Sequence, residues 1–164
     1  MSYGCSSSSS STSKADKAFK NRFNYLTDGI YSFNADRVRM ELYYKRAIYV
    51  GGYATENWIG YSHGHDWVID GYKDVYRVWG VSNNFYDENY NLIRQEPAGE
   101  RKEQETRWLH CNYGWGGTGN GYYYVGVFNT EFPVELDPNC AKPSNYYYYY
   151  RFKLEIIKNI RPNI

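Results

Sequence analysis

From Tyr150 the chain reads YRFKLEI, a strict alternation of apolar and charged residues. A period of two cannot form one face of a helix. In a strand it sends Tyr150, Phe152, Leu154 and Ile156 to one side and Arg151, Lys153 and Glu155 to the other. The chain must therefore build a sheet with one buried and one wetted face. The preceding tyrosines, from Tyr146, read as the start of the same strand, because bulky aromatics favour a pleated surface. Composition extends the argument. With 21 Tyr, 7 Phe and 5 Trp in 164 residues, the chain is rich in side chains that suit sheets and surfaces with one wet end. That is compatible with a tyrosine-rich sheet protein or with an aromatic groove for sugar or peptide.

Ahead of this strand the pattern divides. Residues 1–12 read as a serine-rich loop. Ser13, with Asp16 three residues on, starts a helix to about Tyr25. Ala15, Ala18, Phe19, Phe23 and Leu26 line one face of it. "TDGIYSFN" reads as a turn, and Asn34 caps a second helix through about Lys45, with Val38 and Leu42 one turn apart. From residue 47 the character is β. "AIYVGGY", "HDWVIDGY", "VYRVWGV", "TRWLHCNY" and "YYYVGVFN" read as strands, with "ATENWIGYSHG" as a loop. The expected fold class is α+β: an antiparallel sheet with two N-terminal helices packed on it. The whole chain, 1–164, reads as a single domain, with a helical segment at 13–46, the sheet over 47–164 and a long loop, a hairpin excursion, at 82–104.

Several function classes are excluded at this level. Nineteen basic and 18 acidic residues give a formal net charge of +1, without a polybasic run, so nucleic acid is not an expected partner. No apolar run approaches the ~20 residues of a membrane span, and none is expected. The N-terminus lacks the basic start and apolar stretch of a signal peptide. No GxGxxG follows a strand, and no cofactor is expected. Three cysteines, Cys5, Cys111 and Cys140, imply neither a disulfide framework nor a zinc site. His63 and His65 with His110 could contribute metal ligands, but no Cys or carboxylate cluster completes a site, and no metal is expected.

The residues that could carry chemistry are His65, opening one strand, and Asn112, on a strand expected to run beside it. An Asn carbonyl oxygen could accept a proton from one imidazole nitrogen and leave the other for a nucleophile. The glycine loop of Gly114, Gly116, Gly117, Gly119 and Gly121 would let backbone approach closely and wall the site, with Trp115 covering the pair from water. The same residues also fit a glycine hairpin with a packing Trp. Asp66 and Asp70 fall on the strand face opposite His65 and are expected to close a hairpin or face solvent.

"GHDWVIDGY" followed by "LHCNYGWGGTGNGYYYVGVFN" resembles the streptopain family of papain-like cysteine peptidases. That family carries a Gly-His-Ala-Trp/Phe-Val-Ile-Asp-Gly stretch, then His-x-Asn-Trp-Gly-Trp-Gly-Gly. The opening "MSYGCSSSSSSTSKADKAF" and the closing "IIKNIRP" are also similar to family segments. The resemblance implies a papain-like C-terminal half and peptide-bond hydrolysis through a thiolate–imidazolium pair. It assigns His65 as the catalytic His, Asn112 as its polar neighbour and Trp115 as the second Trp of the Trp-Gly-Trp loop. Tyr113 replaces the first Trp. It also implies a secreted or cell-surface thiol protease whose partner is a peptide or protein substrate.

The family's nucleophile, in a Gly-Cys-Val-Ala-Thr-Ala-like stretch opening a buried helix, has no counterpart here. Cys5 precedes a run of serines, Cys111 points away from Asn112, and Cys140 lies in a loop. The chain is therefore expected to be the His-bearing portion of such an enzyme, inactive alone, with a missing Cys-bearing segment as a possible partner. The alternative is a non-catalytic domain that binds peptide or glycan on an aromatic-rich sheet.

Overall fold

The computed structural model describes residues 2–3, 8–9, 11–140 and 148–164; the expectations for Cys5 and for Tyr146 and Tyr147 lie outside them. Strands β1 (Ser2–Tyr3) and β2 (Ser8–Ser9) pair with each other. Helix α1 (Thr12–Arg22) follows, then β3 (Tyr25–Leu26), β4 (Ile30–Ser32) and helix α2 (Ala35–Tyr43). The rest is β: β5 (Ile48–Asn57), β6 (Gly60–Tyr86), β7 (Leu92–Asn112), β8 (Gly121–Tyr124), β9 (Phe128–Asn129), β10 (Glu135–Leu136), β11 (Tyr149–Tyr150), β12 (Phe152–Ile157) and β13 (Arg161–Pro162). The molecule is α+β, mostly antiparallel sheet with two short helices. Among the described residues the main sheet runs β10-β8-β7-β6-β5-β12-β4. No helix among them is long and apolar enough to cross a membrane.

The two helices start where polar caps satisfy their first free N–H groups. Ser11, two residues before the expected Ser13, accepts from the Lys14 N–H and starts α1; Asn34 accepts from the Arg37 N–H and starts α2. Asp16 is not part of a capping box; it holds Lys20 and Thr27. α1 stops at Arg22, short of Tyr25, because Asn24 turns left-handed (φ 55°) and the chain pairs instead as β3 with β13. Lys45 (φ 57°) likewise follows the end of α2 at Tyr43.

Val38 and Leu42 of α2 join a core of Ile48, Val50, Trp67, Ile69, Leu109, Cys111, Tyr113, Tyr123, Phe128, Tyr150 and Ile156. Alternation puts Tyr49 and Asp66 on the other face, where α1 lies: Phe19 meets Tyr49 edge-on at 5.9 Å between centroids. Gly51 has no side chain there, and a Cβ would stand 2.5 Å from Asp66 Oδ1 and 2.6 Å from Thr12 Oγ1.

Three segments differ from the sequence expectation. "TDGIYSFN" contains the edge strand β4, paired with β12 at Ile30–Ser32. "ATENWIGYSHG" is not a loop but the end of a hairpin, with Asn57 opposite Gly60 and only Trp58 and Ile59 between. The Asn57 side chain accepts from the Ile59 N–H, and Gly60 has φ 133°, which closes the turn. The tyrosine run enters as β11 against β9, and β12 then begins at Phe152, with a register shift between Phe152 and Glu155 where Lys153 has φ 45°. Tyr150 and Ile156 are buried as the alternation requires, Phe152 and Leu154 partly so.

The chain divides into two compact units, Met1–Lys73 with Trp108–Ile164, and Asp74–Arg107. The second contains the segment read as a long loop. It is a two-stranded ribbon formed by the distal parts of β6 and β7. Its turn is tied by the Asp87 carboxylate, which accepts from the N–H groups of Asn89 (2.9 Å) and Asn91 (2.8 Å). Arg77 pairs with Glu105, Arg107 with Asp74, and Gln95 donates to Ser82. Arg94 and Lys102 lie over the rings of Phe85 and Tyr76, each 4.3 Å from the centroid.

Candidate functional site

His65 lies on β6 directly opposite Gly52 of β5. Gly52 matters because a Cβ there would stand 2.5 Å from Leu154 and 3.2 Å from Trp67. Beside it the rings of Trp115, Tyr150 and Tyr113 surround the imidazole, with centroids at 4.7, 5.8 and 6.0 Å. Trp115 in turn stacks on Tyr113 at 5.0 Å and 17°. The half-buried imidazole is thus flanked by three aromatic rings.

Its polar contact fixes its chemistry. His65 Nε2 is 2.8 Å from the Tyr113 carbonyl oxygen. A carbonyl can only accept, so Nε2 carries the hydrogen and Nδ1 carries the lone pair. No hydrogen-bond partner for Nδ1 is found among the described residues. Burial pushes the His65 pKa below its ordinary value, with the Tyr113 carbonyl and Asp66 opposing that shift. The ring is therefore a neutral base with one nitrogen committed and one available.

The orienting contact expected from Asn112 is made by the backbone one residue later. Cys111 and Tyr113 are buried, whereas Asn112 between them is exposed and on the other face. Its side-chain oxygen accepts from the Gly114 N–H at 3.0 Å and so begins the glycine turn. Gly114, Gly116 and Gly117 have φ of 74°, 63° and 92°, left-handed values that suit glycine, on either side of Trp115. The turn is closed from the far side by Asn120, whose side-chain oxygen accepts from the Tyr113 N–H at 2.9 Å. Asn112 holds the peptide whose carbonyl meets His65, and Asn120 holds the peptide before it, so Tyr113 is fixed on both sides. Sequence reasoning missed Asn120 and Tyr150. The pair Asn120-Gly121, closing the glycine loop, was the available signal for the first.

Neither thiol among the described residues is hydrogen-bonded to this base. Cys111 is fully buried beside Trp67 and Tyr113, and desolvation pushes its thiol well above the ordinary range. Cys140 is half-buried near Gly117, with its Sγ 3.7 Å from where a Gly117 Cβ would be.

A second ionic cluster forms on the outer face. His110 Nδ1 donates to Asp70, and Nε2 donates to Asp137 at 2.8 and 3.0 Å. With a carboxylate at each nitrogen the ring is held as imidazolium, and its pKa is raised to about 9, chiefly by Asp70. Asp70 therefore does not simply face solvent: it joins β6 to β7, and Asp137 extends the clamp to the segment after β10. His63 lies elsewhere, with φ 54° and its ring 5.7 Å from Tyr148. Among the described residues no group of three or more His, Cys, Asp or Glu side chains is arranged to hold a metal.

No protein-family model matches this chain, and no curated protein matches it.

Proposed function

We propose that the chain is the His-bearing part of a streptopain-like cysteine endopeptidase, acting on peptide or protein substrates outside the cell. The nucleophile would come from a Cys-bearing segment outside these residues. The supporting observation is the state of His65: its pKa lowered by burial, its ring packed against Trp115, with Nε2–H donating to the Tyr113 carbonyl and Nδ1 without a hydrogen-bond partner among the described residues. In the reaction Nδ1 takes the thiol proton, the thiolate attacks the scissile carbonyl, and the imidazolium returns the proton to the leaving amine. The same nitrogen then activates the water that releases the acyl group. Asn112 is a positioning residue in this scheme, acting through the Gly114 turn. Cys111 is unsuited to the nucleophile's role because its thiol is buried and protonated.

The test joins a family-type Gly-Cys helix ahead of the chain and measures cleavage of a broad peptide substrate. The chain alone should be inactive. The joined protein should show hydrolysis that a thiol-directed inhibitor and His65→Ala both abolish, with the His65 pKa raised by the adjoining thiolate. Inhibitor-sensitive turnover by the chain alone, or activity indifferent to His65→Ala, would overturn the proposal.

A second reading rests on the β5–β6 hairpin tip, where Trp58 is 92% and Tyr61 45% exposed. Such aromatics suit a non-catalytic peptide or glycan platform. Quenching or shift of Trp58 fluorescence by a glycan or peptide panel, lost in Trp58→Ala, would favour it.

A further inference from the structure

The distal ribbon has two unlike edges. β5 accompanies β6 only between Gly60 and Ile69, and β8 accompanies β7 only between Trp108 and Cys111. Among the described residues no third strand flanks the ribbon on either side. A two-stranded ribbon is marginal in water unless something else covers it.

On β7 the free edge is blunted. Between Leu92 and Arg107 half the residues are charged, Pro97 has no N–H to offer, and Gly99 has φ 122°. These are features that discourage strand addition. The β6 edge lacks them. Val75–Tyr86 contains a single charge, Arg77, no proline, and six exposed apolar or aromatic side chains: Tyr76, Val78, Trp79, Val81, Phe85 and Tyr86. A long strand of this composition with unpaired backbone groups is a template for another strand.

We infer that this edge pairs with the same edge of a second copy, antiparallel about a twofold axis through Gly80. The sequence is self-complementary in that register. Trp79 falls opposite Val81 of the second copy, Val75 opposite Phe85, Val78 opposite Ser82, and Arg77 opposite Asn83. Aromatic–β-branched pairs of this kind stabilise sheets, and no like charges meet. Centring the axis on Arg77 would oppose two guanidinium groups. The contact is isologous, so it closes at a dimer and consumes both open edges. The result is a four-stranded sheet with the charged β7 edges outermost.

The test uses the full chain in sedimentation velocity from micromolar to near-millimolar concentration, with near-ultraviolet circular dichroism to confirm folding. A Cβ at Gly80 meets nothing within 4 Å, so Gly80→Asp is accommodated within one copy, yet it opposes two carboxylates at the axis. The wild type should show a monomer–dimer equilibrium. Gly80→Asp should weaken it by about fivefold or more, and Ala98→Asp on the other edge should leave it unchanged. A wild type that stays monomeric or forms open-ended aggregates would overturn the inference. So would a dimer that Gly80→Asp leaves intact, or one that Ala98→Asp weakens equally.

Discussion

Replacing His110 with Gln should remove most of the pH dependence of stability between about pH 6.5 and 9. In the folded chain the imidazolium is clamped between Asp70 and Asp137, and its pKa is raised from 6.5 to about 9. A group that binds its proton more tightly when folded contributes fully below the unfolded pKa. That contribution disappears as pH rises through the folded one. At about 1.4 kcal/mol per unit the rise corresponds to at most ~3.5 kcal/mol. Asp70 is 42% exposed, and solvent screening of that partner reduces the expected effect to about 1–2 kcal/mol. Urea unfolding of wild type and His110→Gln at pH 6 and at pH 9.5 measures it. The wild type should lose that amount between the two pH values, and the variant should be nearly flat once shared titrations are subtracted. Parallel pH profiles would refute the clamp, because the cost of Gln would then be independent of the ring's charge.

Trp115→Ala should open the His65 ring to water and raise its pKa towards 6.5, since burial is what depresses it; a pKa that does not move would show that the indole is not the shield. Gly121→Ala should destabilise the chain by about 3 kcal/mol in thermal or urea unfolding. Gly121 has φ 152°, and a Cβ would stand 2.2 Å from the Glu135 carbonyl, so a silent substitution would contradict the close β8–β10 approach.

What could be read from residues and what could not divides along physical lines. The alternation through Tyr150–Ile156 located a strand and its buried side, because side-chain polarity reports that directly. The shift at Lys153 was invisible, because a left-handed residue inside a strand leaves no mark on the pattern. The Asn57–Gly60 turn looked like a loop because its flanks are polar, and polarity alone does not separate an exposed strand from a turn. The distal ribbon misled for the same reason, and its strands are held by cross-strand pairs such as Arg77–Glu105 that only the register brings together. At the site, His65 and the Trp115 loop were conspicuous, but the partner of Nε2 is a backbone carbonyl, which every residue possesses. One step in register decided that Tyr113 rather than Asn112 faces the imidazole side. The His110 clamp needed Asp70, 40 residues away, and Asp137, 27 residues away.

A base at His65 requires one tautomer of its ring, and imidazole nitrogen NMR of the folded chain tests that most directly. Nε2 should be protonated, Nδ1 unprotonated and the pKa below 6.5. By linkage, stability should then decline as pH falls through 6.5, where the unfolded chain takes up the proton more readily. A ring protonated at Nδ1 instead, or one with a pKa above 6.5, would contradict it.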